Sequence, residues 1–538
     1  MENRKTVIIE RVKNIIIVVL FLNAILLLSF FWKDFSINDF GNFGNLHFGM
    51  SVEDDTYQPE LHELIVPAHI ETGFGNGMHT VVNFNHVIPD DIAIPMPVKP
   101  EGNDEENNQS ATADEASVRE STVYNSVLAA VEHYLTGTDL LVEKIEKSQY
   151  DEVMSYRSIT AVFDYDIPFK EFLQLNNLTD AGGIDNIGHV SRIGFSSASA
   201  ENMFIYDNSL DAYYRIANYN KETANLMSEA ILDISEALEQ EGNATYYSIE
   251  SLVGTENNAL MPLYLDSDLT EISIREAFNI NRESSVSRME QLFFPGGLDF
   301  VRKITENKGA LLYMYGYSEK VLMLEANGTI SYEEEFETKG YKESTFTEAL
   351  NTAVGYIATH GGWRSLYSES VVPYIADCDV RVEGVEGYRS YDFTIGMMFE
   401  GTPVDYASGD LIRVCVYGDQ VTSYFRDIII PEAAQAAETW TAIDAINVVT
   451  DEHVAICEIL EEKEKAEGNL EKAHAYAGEN KFDEMMREAD SIRLSYLRDS
   501  KGHPATLVPV WALEIDGCHF WCDPLTGDLL MYDAGEVN

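Results

Sequence analysis

Apolar and polar positions follow three different patterns along this chain of 538 residues. From Ile15 to Trp32 the run Ile-Ile-Ile-Val-Val-Leu-Phe-Leu-Asn-Ala-Ile-Leu-Leu-Leu-Ser-Phe-Phe-Trp carries no charge. At roughly 18 residues it is long enough to cross most of a bilayer as a helix. Farther on, apolar residues recur at three- and four-residue steps. This predicts amphipathic helices over Val123–Leu135, with Val127, Leu128, Val131 and Leu135 on one side, and over Glu222–Leu238, with Leu226, Ala230, Ile231, Ile234 and Leu238 in register. Elsewhere short apolar or alternating runs predict strands: Ile159–Ile167, Met203–Ile205, Ala212–Ile216, Leu311–Tyr317, Val321–Leu324 and Thr329–Tyr332. Ala326-Asn327-Gly328 between the last two is a strong hairpin signal.

The last third repeats one plan twice. A capping box, Thr345 to Glu348, opens a helix whose face holds Phe346, Leu350, Ala353, Val354 and Ile357. Strands follow at Tyr391–Phe399, Leu411–Tyr417 and Val421–Ile430. A second helix is predicted over Thr441–Val449, then an acidic helical stretch over 452–489. The strands Ser491–Leu497, Leu507–Ile515, Cys518–Cys522 and Leu529–Tyr532 complete it, with a turn at Asp516-Gly517. Helices followed by antiparallel strands predict an α+β fold. The predicted organisation is a cytoplasmic tail (1–14), a transmembrane signal anchor (15–32), an extracytoplasmic spacer and acidic linker (33–119), an N-terminal α+β domain (120–290), a strand-rich middle segment (291–344) and two α+β units (345–436 and 437–538). Within the spacer, a block containing Ile65, Ile70, Val81, Val82 and Val87 has enough apolar residues for a strand or two, but too few to stand alone. Residues 99–119 have almost no large apolar side chains and read as a disordered acidic linker or long loop.

Charge sets the orientation. Arg4, Lys5, Arg11 and Lys13 precede the apolar run and hold that end in the cytoplasm. Trp32 suits the opposite interface. A cleaved signal peptide is the competing reading, but Ser-Phe-Phe-Trp-Lys-Asp offers no small-x-small cleavage site. Asn23 is the one strongly polar side chain in the centre of the run; it can bond to another helix or to its own backbone. The formal net charge is -55; the segment through Lys33 carries +3, so the rest of the chain carries -58. Such a surface repels nucleic acid and anionic membrane surfaces, and no nucleic-acid partner is expected.

Candidate chemistry is sparse. Five cysteines are scattered, and Cys518 and Cys522 sit four apart in a predicted strand. Their Cα atoms would then lie about 13 Å apart, twice the reach of a disulfide. There is no Gly-x-Ser-x-Gly to accompany His360-Gly361-Gly362, and no Walker sequence. Gly73-Phe-Gly75-Asn-Gly77 lacks the full dinucleotide spacing and reads as a turn, and His62-Glu63 lacks the second zincin histidine. His62, His69, His79 and His86 form a loose cluster that could bind Zn²⁺ or sense acid pH, although no pair has ligand spacing on one face. No catalytic residue, metal site or cofactor is therefore expected.

Four phrases resemble the YycH/YycI family, the membrane-anchored extracytoplasmic regulators of a two-component histidine kinase in Gram-positive bacteria. They are the basic N-terminus with its Asn-containing anchor, Val321-Leu-Met-Leu-Glu-Ala-Asn-Gly-Thr-Ile-Ser-Tyr332, the set Tyr391-x-Phe393, Gly401-Thr-Pro403-Val404 and Tyr424-Phe-Arg426, and the C-terminal Leu507-Val-Pro509-Val-Trp511 with Asp523-Pro-Leu-Thr-Gly527. The last two also resemble PepSY-type modules, in which a helix packs on a sheet. The resemblance covers the anchor and residues 290–538. The hairpin lacks the Tyr-Thr-Asp-Gly phrase of these regulators, and the acidic linker departs from their pattern. Taken alone, the residues read as structural: Gly401 and Gly527 set turns, Pro403 and Pro509 shape strands, and Trp511 packs in the core. The resemblance implies a single-pass, non-enzymatic regulator on the outer face of the cytoplasmic membrane. Its implied partners are a sensor histidine kinase and a second anchored regulator, with Asn23 and Trp32 in the anchor. The alternatives are a PepSY-type binding or inhibitor module for a secreted protease or cell-wall enzyme, and a surface hydrolase.

Overall fold

The computed structural model describes residues 57–97, 121–136, 140–242, 244–265, 270–306, 309–368, 370–383, 387–407, 409–432, 442–499 and 505–534. The predicted anchor Ile15–Trp32, with Asn23 and Trp32, and the acidic linker 99–119 lie outside them. Among the described residues no helix is long and apolar enough to cross a membrane.

The first nine strands are β1 (His69–Phe74), β2 (His79–Val82), β3 (Leu140–Ile145), β4 (Arg157–Pro168), β5 (His189–Ser196), β6 (Asn202–Asp207), β7 (Ala212–Asn218), β8 (Ala244–Ser248) and β9 (Leu260–Leu265). They form one sheet in the order β3-β7-β6-β5-β4-β1-β2-β8-β9. Helices Val123–Leu135 and Lys221–Glu241 cover one face. Both are capped as their sequences require: Thr122 accepts from the Asn125 N–H, and Asn220 from the Glu222 N–H. Strand alternation divides the sheet into two faces. Ile159 and Ala161 of β4 join the core under these helices. The intervening Thr160, opposite Glu71, points to the other side, where Tyr150 of helix Lys147–Met154 packs 4.9 Å from Tyr213.

Residues 57–97, expected in a spacer, are integral to this sheet. β1 lies between β2 and β4, six residues in register with β4 from His69↔Val162 to Phe74↔Arg157. Leu64, Ile65 and Ile70 are fully buried. The block is indeed too small to fold alone; its partner strand lies some ninety residues downstream, a pairing that local periodicity does not encode.

The remaining strands build a second, 15-stranded sheet. They are β10 (Ile272–Glu276), β11 (Val301–Thr305), β12 (Leu311–Tyr315), β13 (Lys320–Leu324), β14 (Ile330–Glu334), β15 (Val371–Glu383), β16 (Tyr388–Phe399) and β17 (Thr402–Tyr406), then β18 (Ile412–Tyr417), β19 (Gln420–Arg426), β20 (Ile429–Pro431), β21 (Ala489–Arg498), β22 (Thr506–Ile515), β23 (Cys518–Cys522) and β24 (Leu529–Asp533). The main path runs β11-β12-β13-β14-β19-β18-β16-β17-β21-β22-β10-β20, with β15 on β16 and β23–β24 on β22. The sheet therefore runs across the expected limits at 290, 344 and 436. β10 pairs with β22, β14 with β19, and β17 runs parallel to β21. Two cores result. The larger joins the first sheet to helix Phe346–Thr359 and the strands beneath it. The smaller packs helices Ala445–Glu467, Leu470–Ala477 and Lys481–Arg487 on β21–β23 and also takes in Ile249 and Met261. Asn257 fastens that junction by donating to the carbonyls of Met486 (2.8 Å) and Ala489 (2.7 Å).

Candidate functional site

The capping box predicted at Thr345 forms, with Thr345 Oγ1 accepting from the Glu348 N–H and the Glu348 carboxylate from the Thr345 N–H. It starts helix Phe346–Thr359, and the phrase residues grip that helix at both ends. At its start, Phe346 meets the Phe393 ring edge-on at 5.5 Å and Tyr391 at 6.2 Å. Tyr391 and Phe393 stack on each other, and the Tyr391 hydroxyl donates to the Ser344 carbonyl. At its end, Arg426 is buried and directs its guanidinium to the Gly361 carbonyl (3.1 Å) and the Gly362 carbonyl (3.2 Å). It also donates to the hydroxyl of Tyr424, which donates in turn to the His360 carbonyl. The His360 ring stacks 3.7 Å from Tyr356. Burial pushes the His360 pKa down, which favours the neutral ring.

The C-terminal phrase works on the second helical layer in a corresponding way. Trp511, almost fully buried on β22, donates its indole N–H to the Ile443 carbonyl at 3.1 Å. The Ile443 N–H donates to the Pro524 carbonyl at 2.8 Å. Asp523 caps its own turn, its Oδ1 accepting from the Leu525 and Thr526 N–H groups. A side chain at Gly527 would meet Ile443 Cδ1 at 2.9 Å. Trp511, Asp523 and Gly527 thus converge on the residue just ahead of helix Ala445–Glu467. Pro509 lies on β22 opposite Tyr496, and Pro403 on β17 offers its carbonyl to Ser495. Gly401, in the turn between β16 and β17, lies against Asn83 from the loop after β2, joining the two sheets.

Most phrase residues therefore fall into two groups, one at each helical layer, while Gly401, Pro403 and Pro509 lie on the strands and turn between them. Their partners Asn83 and Ile443 carry no sequence signal: each matters only because a distant turn lies against it. Of the four histidines, His69 and His79 both act on Glu71, and the other two have separate partners. His62 pairs with Glu60, His69 with Glu71 and His86 with Glu241, while His79 lies in register with Gly73. Among the described residues no group of three or more histidine, cysteine or acidic side chains is placed to hold a metal ion. All five cysteines are free thiols. Burial raises the Cys378 thiol pKa, as it does those of Cys415 and Cys457, leaving them protonated and unreactive at neutral pH.

The strongest electrostatics are structural. On the outer face of β16 and β18, Arg413 holds Asp392 through Nε to both carboxylate oxygens (3.0 Å each) and through Nη2 at 2.6 Å. On the first sheet, burial opposes ionisation of Glu71, but His69 at 3.3 Å, Arg192 at 3.9 Å and nearby His79 outweigh it. The carboxyl pKa falls to about 2.

No protein-family model matches the chain, and no curated protein matches it. Among solved structures the chain is similar to YycH from Bacillus subtilis, with 12% identity and a TM-score of 0.47, over 86% of this chain and 96% of that one.

Proposed function

We propose that this chain is a membrane-anchored extracytoplasmic binding protein that regulates a sensor histidine kinase and performs no chemistry of its own. The observation that most supports this reading is how its phrase residues are used. Tyr391, Phe393, Tyr424, Arg426 and Trp511 are directed at helix ends, and the polar atoms of Tyr391, Tyr424, Arg426 and Trp511 are taken up by carbonyl oxygens of the chain itself. They build a rigid frame rather than a set of reactive groups aimed at one point. A frame of this kind regulates by favouring one state of its partner, and its effect is limited by its differential affinity for the partner's two states. The anchor, with Asn23, and the sheet rims are the surfaces through which it would do so.

The test is a pull-down from membranes with the full chain as bait, read together with response-regulator phosphorylation in a deletion strain. The expected result is recovery of a histidine kinase and a changed phosphorylation level. Recovery of none, with phosphorylation unchanged, overturns the reading. Exchanging Ile15–Trp32 for an unrelated transmembrane helix separates the contributions: localisation is kept, and regulation weakens if the anchor contacts the kinase.

A further inference from the structure

We infer that the loop Pro295–Phe300 and the β12–β13 turn form an apolar tip that inserts, at headgroup depth, into the lipid bilayer beside the chain. This contact depends on the anchor proposed above and adds a second point of membrane attachment to it. Both loops lie at one end of the β11–β12–β13 ribbon. Val301 pairs with Tyr315, and Tyr315 with Lys320, so Phe300 and residues 316–319 leave the sheet together. Residues 295–300 are all exposed. Leu298 is 40%, Phe300 90% and Tyr317 102% exposed. Single apolar residues on a surface are ordinary, but three at one tip make a patch. The backbone also holds Phe300 outward at a cost. The Val301 N–H donates to the Leu298 carbonyl at 3.0 Å, closing a turn in which Phe300 stands third with φ +70°. That place suits glycine or asparagine, and a bulky side chain there is strained. Packing within the chain does not explain the choice, since the ring is almost wholly exposed.

Chain path, residue type and charge select a bilayer as the layer that covers this tip. Tyr57, the first described residue after the predicted anchor, packs edge-on against Tyr367 at 5.2 Å, and a side chain at Gly355 would meet Gln58 Nε2 at 4.0 Å. Five residues beyond Gly355, about 8 Å along the axis of helix Phe346–Thr359, His360 packs 4.9 Å from Phe293. Phe293 is the last residue of helix Glu283–Phe293, and the exposed loop starts two residues later. The chain thus comes from the anchor against the same end of the helix from which the tip departs. Residues 33–56 span at most about 80 Å even when fully extended, which keeps the folded chain within reach of that bilayer. Leucine and phenylalanine suit the edge of the acyl layer, and tyrosine keeps its hydroxyl among the headgroups. Arg302 and Lys303 stand exposed just after Phe300, where their stems can lie along the apolar layer; Lys303 also pairs with Glu290. Asp299 and Glu319 stand exposed at the tip itself. Those carboxylates hold it at headgroup depth and offset any preference for anionic lipid.

The test reconstitutes the full chain in phosphatidylcholine vesicles with an environment-sensitive dye on Gly296→Cys, a position where a Cβ meets nothing within 4 Å. The unsubstituted chain, carried through the same labelling, gives the background of the five native thiols. Nitroxide lipids labelled just below the headgroups should quench the dye at least about twofold, since an interfacial contact reaches roughly 5–10 Å into the headgroup and acyl boundary. The same dye on Tyr219→Cys, exposed beyond the end of β7, should stay unquenched. Phe300→Asn with Tyr317→Ser should remove most of the quenching at an unchanged or raised melting temperature, because asparagine suits the left-handed turn. Resistance to alkaline extraction reads the anchor separately. A chain that resists extraction yet shows no quenching at 296 overturns the inference, keeps the anchor and assigns the tip to a protein surface. A chain released by alkali lacks the anchor, and the inference falls with it. Equal quenching at 219, quenching confined to anionic vesicles, or full quenching in the double variant also overturns the inference.

Discussion

The side-chain amide of Asn83 lies against Gly401, its Nδ2 3.4 Å from the Gly401 carbonyl oxygen. The two residues are 318 positions apart, and the contact joins the loop after β2 to the turn between β16 and β17. Gly401 has φ +81°, and a Cβ there would collide with the Asn83 amide nitrogen. Gly401→Ala therefore combines left-handed backbone strain of about 1 kcal/mol with a steric clash, and a total loss of roughly 2–3 kcal/mol is expected. Urea unfolding measures it. Adding Asn83→Gly to Gly401→Ala should recover the steric part and leave the backbone part. A neutral Gly401→Ala would mean that the turn does not pack this way.

Arg426 is held wholly by backbone carbonyls and the Tyr424 hydroxyl. Arg426→Met keeps the bulk but leaves the Gly361 and Gly362 carbonyls without their donor. A cost of about 2–4 kcal/mol follows from two unsatisfied buried acceptors. Arg426→Lys should recover only part of it, because an ammonium cannot reach both carbonyls as a planar fork does. Hydrogen exchange should accelerate first at the end of helix Phe346–Thr359, with the nine-stranded sheet unaffected. Uniform acceleration everywhere would assign Arg426 to the global core instead.

Local patterns were legible where the physics is local. Val123–Leu135 is a helix over the predicted residues, Cys518–Cys522 a strand over the predicted residues, and the capping box at Thr345 forms with both of its hydrogen bonds. The acidic stretch after Thr441 breaks differently from expectation. One helix runs from Ala445 to Glu467 because its apolar face is continuous through Val449, Ile456 and Leu460, and two short helices follow. The larger differences are in pairing. Nothing near His69 indicates that β1 lies against β4, and nothing near Ile272 indicates that β10 lies against β22. The phrase residues were identifiable as turn and core formers, but their partners Asn83 and Ile443 were not, since a contact made by backbone shape leaves no trace in residue type.

Glu71 gives the protein an acid-sensitive element on the face of the first sheet that carries helix Lys147–Met154. Its pKa falls from an ordinary 4.5 to about 2 in the folded chain, held there by His69, Arg192 and His79 against the opposing effect of burial. Between those values the unfolded chain binds more protons than the folded one, so stability rises with pH. The contribution is fully present above pH 4.5 and is lost as the pH falls toward 2. A shift of this size corresponds to at most about 3 kcal/mol, reduced by the partial exposure of the site. Glu71→Gln should flatten the unfolding free energy between pH 4.5 and 2 while leaving the Arg413–Asp392 pair intact. An unchanged slope in that window would show that other carboxylates govern acid unfolding.

The three-helix layer over β21–β23 hangs on Asp516, the turn residue between β22 and β23. Lys472 reaches its Oδ1 at 2.6 Å and the Tyr476 hydroxyl donates to its Oδ2 at 2.8 Å. Lys472 also pairs with Glu488 at 2.9 Å. Burial works against the Asp516 carboxylate, but Lys472 and Tyr476 outweigh it and lower its pKa, while burial raises that of neighbouring Glu464. Lys472→Met removes the shared cation and leaves Asp516 and Glu488 facing each other. Because Lys472 is about one-third exposed, the loss should be nearer 1–2 kcal/mol than the 3–5 kcal/mol of a fully buried pair. A depressed carboxyl pKa stabilises above the ordinary aspartate range and loses that effect as the pH falls through it. The variant should therefore lose more stability at pH 7 than at pH 3. Hydrogen exchange within residues 445–487 should speed up at neutral pH while β4–β7 keep their protection. Equal destabilisation at both pH values would show that Lys472 acts through packing alone.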